Sequence, residues 1–331
     1  MDIGKSKFFG FLKNIFSKQE VGIFLGLVLL IIIFSSTSPT FVTTKNILNV
    51  IRQVSFIGIL SMGMTMVMVC GDIDLSIGAI YYLAAATASY FMVRGLPIWI
   101  CIIIGMILGF SAGLINGLLV SFVGLPAFIA TLGVMNLARG SALILTKGFT
   151  ISLSPEFVKD PALNTYKYIA SGKIFGVIPM MVIIFIVVAI ISYFFFHKTI
   201  FGFRFRAVGG NRAAADAAGI NTRSIRILAF CINGVLAGMA GILMAGFLNS
   251  VQANIGNGME LEAIAACIIG GTSIAGGKGS IIGTAIGVLI MGVLKNGLVL
   301  LGVTSYVQVV IAGVVIIGAV SLDLLTKRRT S

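Results

Sequence analysis

The sequence predicts a polytopic α-helical membrane protein of about ten spans, with some short or broken spans and both termini on the cytoplasmic side. Composition is the first reason: 58% of the 331 residues are apolar, 41 more are glycine, and only 10% are charged. Soluble domains reach about 45–50% apolar even with glycine included. The second reason is the length of the charge-free runs, among them 21–44, 53–71, 75–93, 95–138, 174–196, 227–259 and 296–322. About 20 apolar helical residues cross a hydrocarbon core. The third is the absence of the short alternating segments that a β-barrel requires.

Residues 1–20 form a basic leader with Lys5, Lys7, Lys13 and Lys18. The apolar run that follows lacks the early small-residue cleavage site of a signal peptide and reads as a retained first span over 21–36. Further spans fall at 47–70, 76–93, 97–122 and 126–146, the last two joined at Gly124-Leu125-Pro126. A polar loop, 147–176, leads to a span over 177–196, and a basic loop over 198–226 precedes one at 227–248. Spans at 260–275, 280–301 and 305–322 complete the ten, within one transmembrane domain over 21–325 and before a short basic tail, 326–331.

Charge orients this arrangement. With both termini inside, fourteen basic residues fall on the inner side and six on the outer. That is the direction expected of cytoplasmic loops, and it accounts for the net charge of +13 without nucleic acid. Arg52, Arg139 and Lys295 lie inside spans, where a charge is paired or snorkels toward the membrane edge. Cys70, Cys101, Cys231 and Cys267 sit in apolar runs without metal-ligand spacing and read as small apolar residues. His197 is the sole histidine, so neither a His-based triad nor a two-His metal site can form. No group of residues offers a nucleophile with its base, which argues against an enzyme.

Three stretches carry functional signal. The first is residues 71–76, where Asp72, Asp74 and Ser76 stand at a break between spans. Ser76 suits the N-cap of the next span, so the stretch is either a capped turn at the membrane edge or part of the translocation path or its gate. The second is the loop 199–226. Gly209-Gly210 supplies a turn, Asn211 an N-cap, Arg212, Ala213, Ala214, Ala215 and Asp216 a short exposed helix, and Gly219 its stop. The third is residues 258–287. Glu260 and Glu262 open an apolar run too short for a plain anchor, and Thr272 and Ser273 precede a glycine cluster around Lys278. This stretch reads as a tightly packed hairpin beside a path. A P-loop is excluded there, because the pattern needs Gly at position 272 and Ser or Thr at 279, and the sequence has Thr272 and Gly279. Residues 74–78 and 278–283 also echo one another, either as a true internal repeat or by chance among Gly, Ile and Ser.

Taken together, these motifs resemble the permease subunits of ATP-driven monosaccharide importers, the ribose-type branch. The matching pieces are Asp74-Leu75-Ser76-Ile77-Gly78, residues 126–133 (PAFIATLG), the Gly209-Gly210-Asn211 loop through Gly219-Ile220-Asn221, residues 260–279, and Asn296-Gly297-Leu298 through Val303. Relatives more often carry a small residue at Asp72, and many have Asp at Glu262. The resemblance implies a second permease copy or homologue, two cytoplasmic ATPase domains gripping Gly210 to Gly219, and an extracytoplasmic sugar-binding protein. It also implies a bacterial cytoplasmic membrane, and no cofactor on this chain, since ATP binds the partner subunit. Asp72, Asp74, Ser76, Glu260, Glu262, Thr272, Ser273 and Asn296 are the expected path or gating residues. The competing reading is an ion-coupled secondary transporter using Asp72, Asp74 and Glu262. Within the same permease class, a nucleoside or a furanose-like signal is the alternative cargo.

Overall fold

A computed structural model describes residues 19–328. Most of the basic leader, and the last three residues of the tail, lie outside that range.

The helices follow the apolar runs. In chain order they are α1 (Gln19–Thr37), α2 (Thr44–Val69), α3 (Ile77–Val93), α4 (Ile98–Leu118) and α5 (Ala127–Thr146). After a short α6 (Leu163–Ser171) come α7 (Met180–Lys198), α8 (Ile200–Gly210), α9 (Arg212–Ala217) and α10 (Thr222–Leu248). α11 (Met259–Ile269), α12 (Ile281–Leu300) and α13 (Ser305–Arg328) end the described chain. Among the described residues, seven helices are long and apolar enough to cross a membrane: α1, α2, α4 with its continuation, α5, α7, α10 and α12. Two of the other expected spans are shorter: α3 has 17 residues and follows an extended segment, and α11 has only 11. α13 is a 24-residue helix that includes the span expected over 305–322. The span expected over 260–275 is the largest correction. At 1.5 Å per residue α11 covers about 16 Å, half a hydrocarbon core, because Gly270-Gly271 ends it. Gly271 adopts φ +84°.

Two helices form the centre. α2 is 78% buried and α10 61% buried across their apolar windows, against 11% for α1 and 22% for α7. α10 packs against α2, α3 and α4, and α12 packs against α1, α2 and α11. The outer helices present Leu29, Ile103, Phe110, Ile144 and Ile191 to the surroundings, as lipid-facing helices do.

The α4–α10 seam consists of backbone. Gly105, Gly109, Gly113 and Gly117 recur every fourth residue along α4, and Gly234 and Gly238 face them from α10. A Cβ at Gly109 would sit 2.5 Å from the Gly234 carbonyl oxygen, and one at Gly117 would sit 2.8 Å from the Ile227 Cα. Small residues at this spacing let membrane helices approach to backbone contact. α4 then ends in a π-helical turn over Leu119–Val123, closed by Gly124 at φ +80°.

Two strand pairs tie the loops at the end of the bundle where α3 stops. β1 (Ile151–Ser152) pairs antiparallel with β4 (Ser250–Val251), and β2 (Lys173–Ile174) with β3 (Ile178–Pro179). At this end the Asp160 carboxylate accepts the backbone N–H of Ile98 at 2.8 Å and that of Ala162 at 2.8 Å. It thereby caps α4 from a loop 62 residues away. These amide donors hold the Asp160 carboxyl below the usual aspartate range.

Candidate functional site

At the opposite end of the bundle, residues 71–76 leave α2 and return to α3 as extended chain. Two carboxylates lie in this segment, and neither faces open solvent. Asp72 is 5% exposed and Asp74 is fully buried.

Asp72 holds two arginines. Arg226, in the first turns of α10, engages it side-on, with Nε 2.7 Å from Oδ2 and Nη2 2.8 Å from Oδ1. Arg212, the first residue of α9, donates from Nη2 to Oδ1 at 3.0 Å. Arg226 also donates to the Val120 carbonyl at 3.2 Å, at the π-helical turn. One carboxylate thus gathers α2, the end of α4, α9 and α10. The fork of a guanidinium matches a carboxylate in two places, which fixes orientation as well as distance.

Asp74 is held by neutral donors. Its Oδ1 accepts the Ser76 N–H at 2.9 Å and the Ser76 hydroxyl at 2.5 Å, and its Oδ2 accepts Asn233 Nδ2 at 2.9 Å. Asn116 Nδ2 donates to Ser76 Oγ at 2.8 Å and lies 3.4 Å from Asp74 Oδ1. Ser76 was expected to cap α3, and it does not. Its backbone is already helical and its side chain makes no capping bond, while Asp74 accepts its N–H instead. The carboxyl wins because its Oδ1 lies within reach of both the Ser76 N–H and the Ser76 hydroxyl, which turns that side chain away from the helix. Asn116 and Asn233 keep their Oδ1 atoms buried without a hydrogen-bond partner among the described residues.

The loop 199–226 folds nearly as expected. Asn211 caps α9, its Oδ1 accepting the Ala214 N–H at 3.0 Å, and Gly219 follows the helix at φ +79°. Arg212, Ala213, Ala214 and Asp216 are exposed, and Ala215 faces the bundle. Asp216 also accepts the Thr222 hydroxyl at 2.9 Å, which joins α9 to the start of α10. Gly209 and Gly210 do not form a turn. They are the last residues of α8, an amphipathic helix missed in the basic loop. The physical reason is contact: a Cβ at Gly209 would strike the Val69 carbonyl and come 2.6 Å from the Gly277 nitrogen. Gly277 in turn donates its N–H to the Val69 carbonyl at 2.8 Å. A Cβ at Gly276 would lie 2.8 Å from the Gly71 Cα, so the glycines just before the two echoing stretches, 74–78 and 278–283, meet at this point.

The third stretch packs as its glycines suggest. A Cβ on Gly270 would come within 2.6 Å of the Thr284 Cα, so α11 and α12 touch along their backbones. Thr65 shares a 2.7 Å bond with Thr284 and a 3.4 Å contact with Cys267 between them. Thr272 and Ser273 are buried in the turn below, the Ser273 N–H reaching the Lys278 carbonyl at 3.0 Å. Glu260 abuts Gly78 in the first turn of α3. Glu262 accepts Lys295 Nζ at 2.8 Å, a paired charge as the sequence suggested. Asn296 is committed to a reciprocal amide pair with Asn46, 2.9 Å in each direction.

The expected path residues therefore separate into two groups. Asp72, Asp74, Ser76, Thr272 and Ser273 belong to the end that carries α9. Glu262 lies on the wall of a cavity of about 710 Å³ among α2, α10, α11, α12 and α13. Arg52, read in sequence only as a charge within a span, shares that wall with Gln53 and Gln308, which were not singled out, although a charge and an amide side by side within a span were a readable signal.

A family model described as branched-chain amino acid transport system / permease component matches residues 46–320. The chain belongs to this permease family. The permease is 42% identical over 308 residues to the ribose import permease protein RbsC of Bacillus subtilis, covering 92% of each chain. It is 39% identical to RbsC of Escherichia coli over 90% of this chain and 92% of the relative. The D-allose transport system permease protein AlsC of Escherichia coli is 37% identical over 94% and 93%. No solved structure gives a significant match. Members are permease subunits of ABC importers, transport channels rather than enzymes, with ATP hydrolysed by a partner subunit. The permease is a multi-pass membrane protein of this class.

Proposed function

We propose that the permease carries a monosaccharide, ribose or a related sugar, inward across a bacterial cytoplasmic membrane. Two copies, or one copy and a close homologue, enclose the path. ATP is bound by the partner subunit alone, and no cofactor resides on this chain. A sugar-binding protein delivers cargo to the end opposite α9, and both termini and the 198–226 loop lie in the cytoplasm. The relatives supply the cargo class, being ribose and allose permeases by name.

One observation carries the mechanism: the exposed helix α9 is bonded through Arg212 to the buried Asp72. In this reading Gly210 to Gly219 receives the stroke of an ATPase, and Arg212 and Arg226 pass it to residues 71–76. Asp74 and Ser76 then shift against Asn116 and Asn233, while Thr272, Ser273 and the Lys278 turn follow through the glycine contact. Glu260, Glu262 and Asn296 belong to the other side of the gate. The ion-coupled reading loses ground because Asp72 and Glu262 are already neutralised by arginine and lysine.

Reconstitution with the ATPase and the binding protein tests the proposal. ATP-driven ribose uptake survives collapse of the ion gradients, and Gly219→Pro abolishes uptake while ATP hydrolysis continues without stimulation by sugar. Uptake that persists without this subunit, or that stops with the ion gradient while ATP is kept high, overturns it.

A further inference from the structure

The cavity among α2, α10, α11, α12 and α13 is of the size that small-molecule sites occupy, about 300–1,000 Å³. Its wall has two chemistries. Phe247 lies 5.5 Å from Phe56, centroid to centroid, and both rings line it. The amides of Gln53, Asn257 and Gln308 line it as well. Arg52 joins the two, its guanidinium carbon 5.6 Å from the Phe247 ring centre. Its Nε is buried and has no hydrogen-bond partner among the described residues. A buried donor left unmade is costly, so this atom awaits an acceptor. The rim carboxylate, Glu262, is already matched by Lys295 and leaves no free anion on the wall.

We infer that this cavity is the station at which the permease holds its neutral sugar, with Arg52, Gln53 and Asn257 reading hydroxyl groups and Phe247 covering the C–H face. A monosaccharide has the complementary anatomy: one apolar face of C–H bonds and a rim of groups that both donate and accept. Amides meet such a rim in either sense, and a guanidinium can donate to two neighbouring hydroxyls at once. The place also fits. Arg52 lies eight residues into α2 from Thr44, about 12 Å from the end opposite Asp72. A sugar entering from that end meets these side chains before it reaches the glycine junction. The inference rests on the reading of the chain as a sugar permease.

The test uses the complete importer in proteoliposomes. Asn257→Ala and Arg52→Gln raise the KM for ribose about ten-fold and leave kcat within a factor of about two. They also shrink the preference for ribose over a deoxyribose, which a general packing defect would not do. In a separate arm, Gln53→Cys is labelled by a membrane-impermeant maleimide and protected by ribose, against a background of four buried native cysteines. Wild-type uptake with unchanged KM in the variants, or labelling at residue 53 indifferent to sugar, overturns the station and leaves the importer standing. A wild-type complex that moves no sugar overturns both.

Discussion

Asp72 and Asp160 each hold together segments far apart in sequence, at opposite ends of the bundle, and they do it in opposite ways. Asp72 is buried, ionic and shared by two arginines on two helices. Asp160 lies in a loop and accepts only backbone N–H groups, one of them at the start of α4. The first arrangement fixes orientation through a nearly buried carboxylate, and it is fragile because removing one member strands a charge. The second is weaker and more tolerant, since water can replace either partner. The end that carries α9 is thus built from charge, and the remote end from caps and strand pairs.

Removing the buried carboxylate should separate the two ends most. Asp72→Ala leaves Arg226 uncompensated at 12% side-chain exposure, and breaking a buried pair costs about 3–5 kcal/mol. A thermal midpoint equal to that of the wild type in the same detergent would contradict the description of Asp72 as the tie. Gly209→Ala comes next. Its Cβ would overlap the Val69 carbonyl, so overpacking of about 1–3 kcal/mol is expected, read as a lower midpoint and slower uptake. Gly210→Ala, one residue on with open space around it, should leave the thermal midpoint alone. The smallest effect belongs to Asp160. Its folded carboxyl is held below the ordinary aspartate value of about 3.9, so its contribution is present above that pH and disappears as the pH falls through and below it. Protection of the Ile98 and Ala162 amides, measured against their intrinsic exchange rates at each pH, should fall on acidification, and Asp160→Asn should remove that step without touching the α9 end.

Much of this was legible from local sequence. Asn211, the alanines after it and Gly219 define α9 within one residue, because caps and propensity act over a few positions. The apolar runs locate the long helices for the same reason. The partner of Asp72 was not legible. Arg226 lies 154 residues away and reads locally as one more basic loop residue. Nor was the role of Ser76, since a capping serine and a serine claimed by a nearby carboxylate look identical in a string. The cavity needs five helices to exist. The four-residue glycine rhythm of α4 was in plain view, and only its facing partners on α10 give it meaning.

That rhythm has a mechanical consequence. Where two helices touch through side chains, small slides can be absorbed by rotamer changes. At the middle of the α4–α10 seam there is no side chain to repack: parting the helices at Gly109 and Gly234 would open an empty slot between main chains. The pair therefore behaves as one stiff plank from end to end of the bundle. A push delivered at Arg226 tilts that plank as a lever, so a displacement at one face of the membrane reappears at the other with its direction set by where the pivot lies.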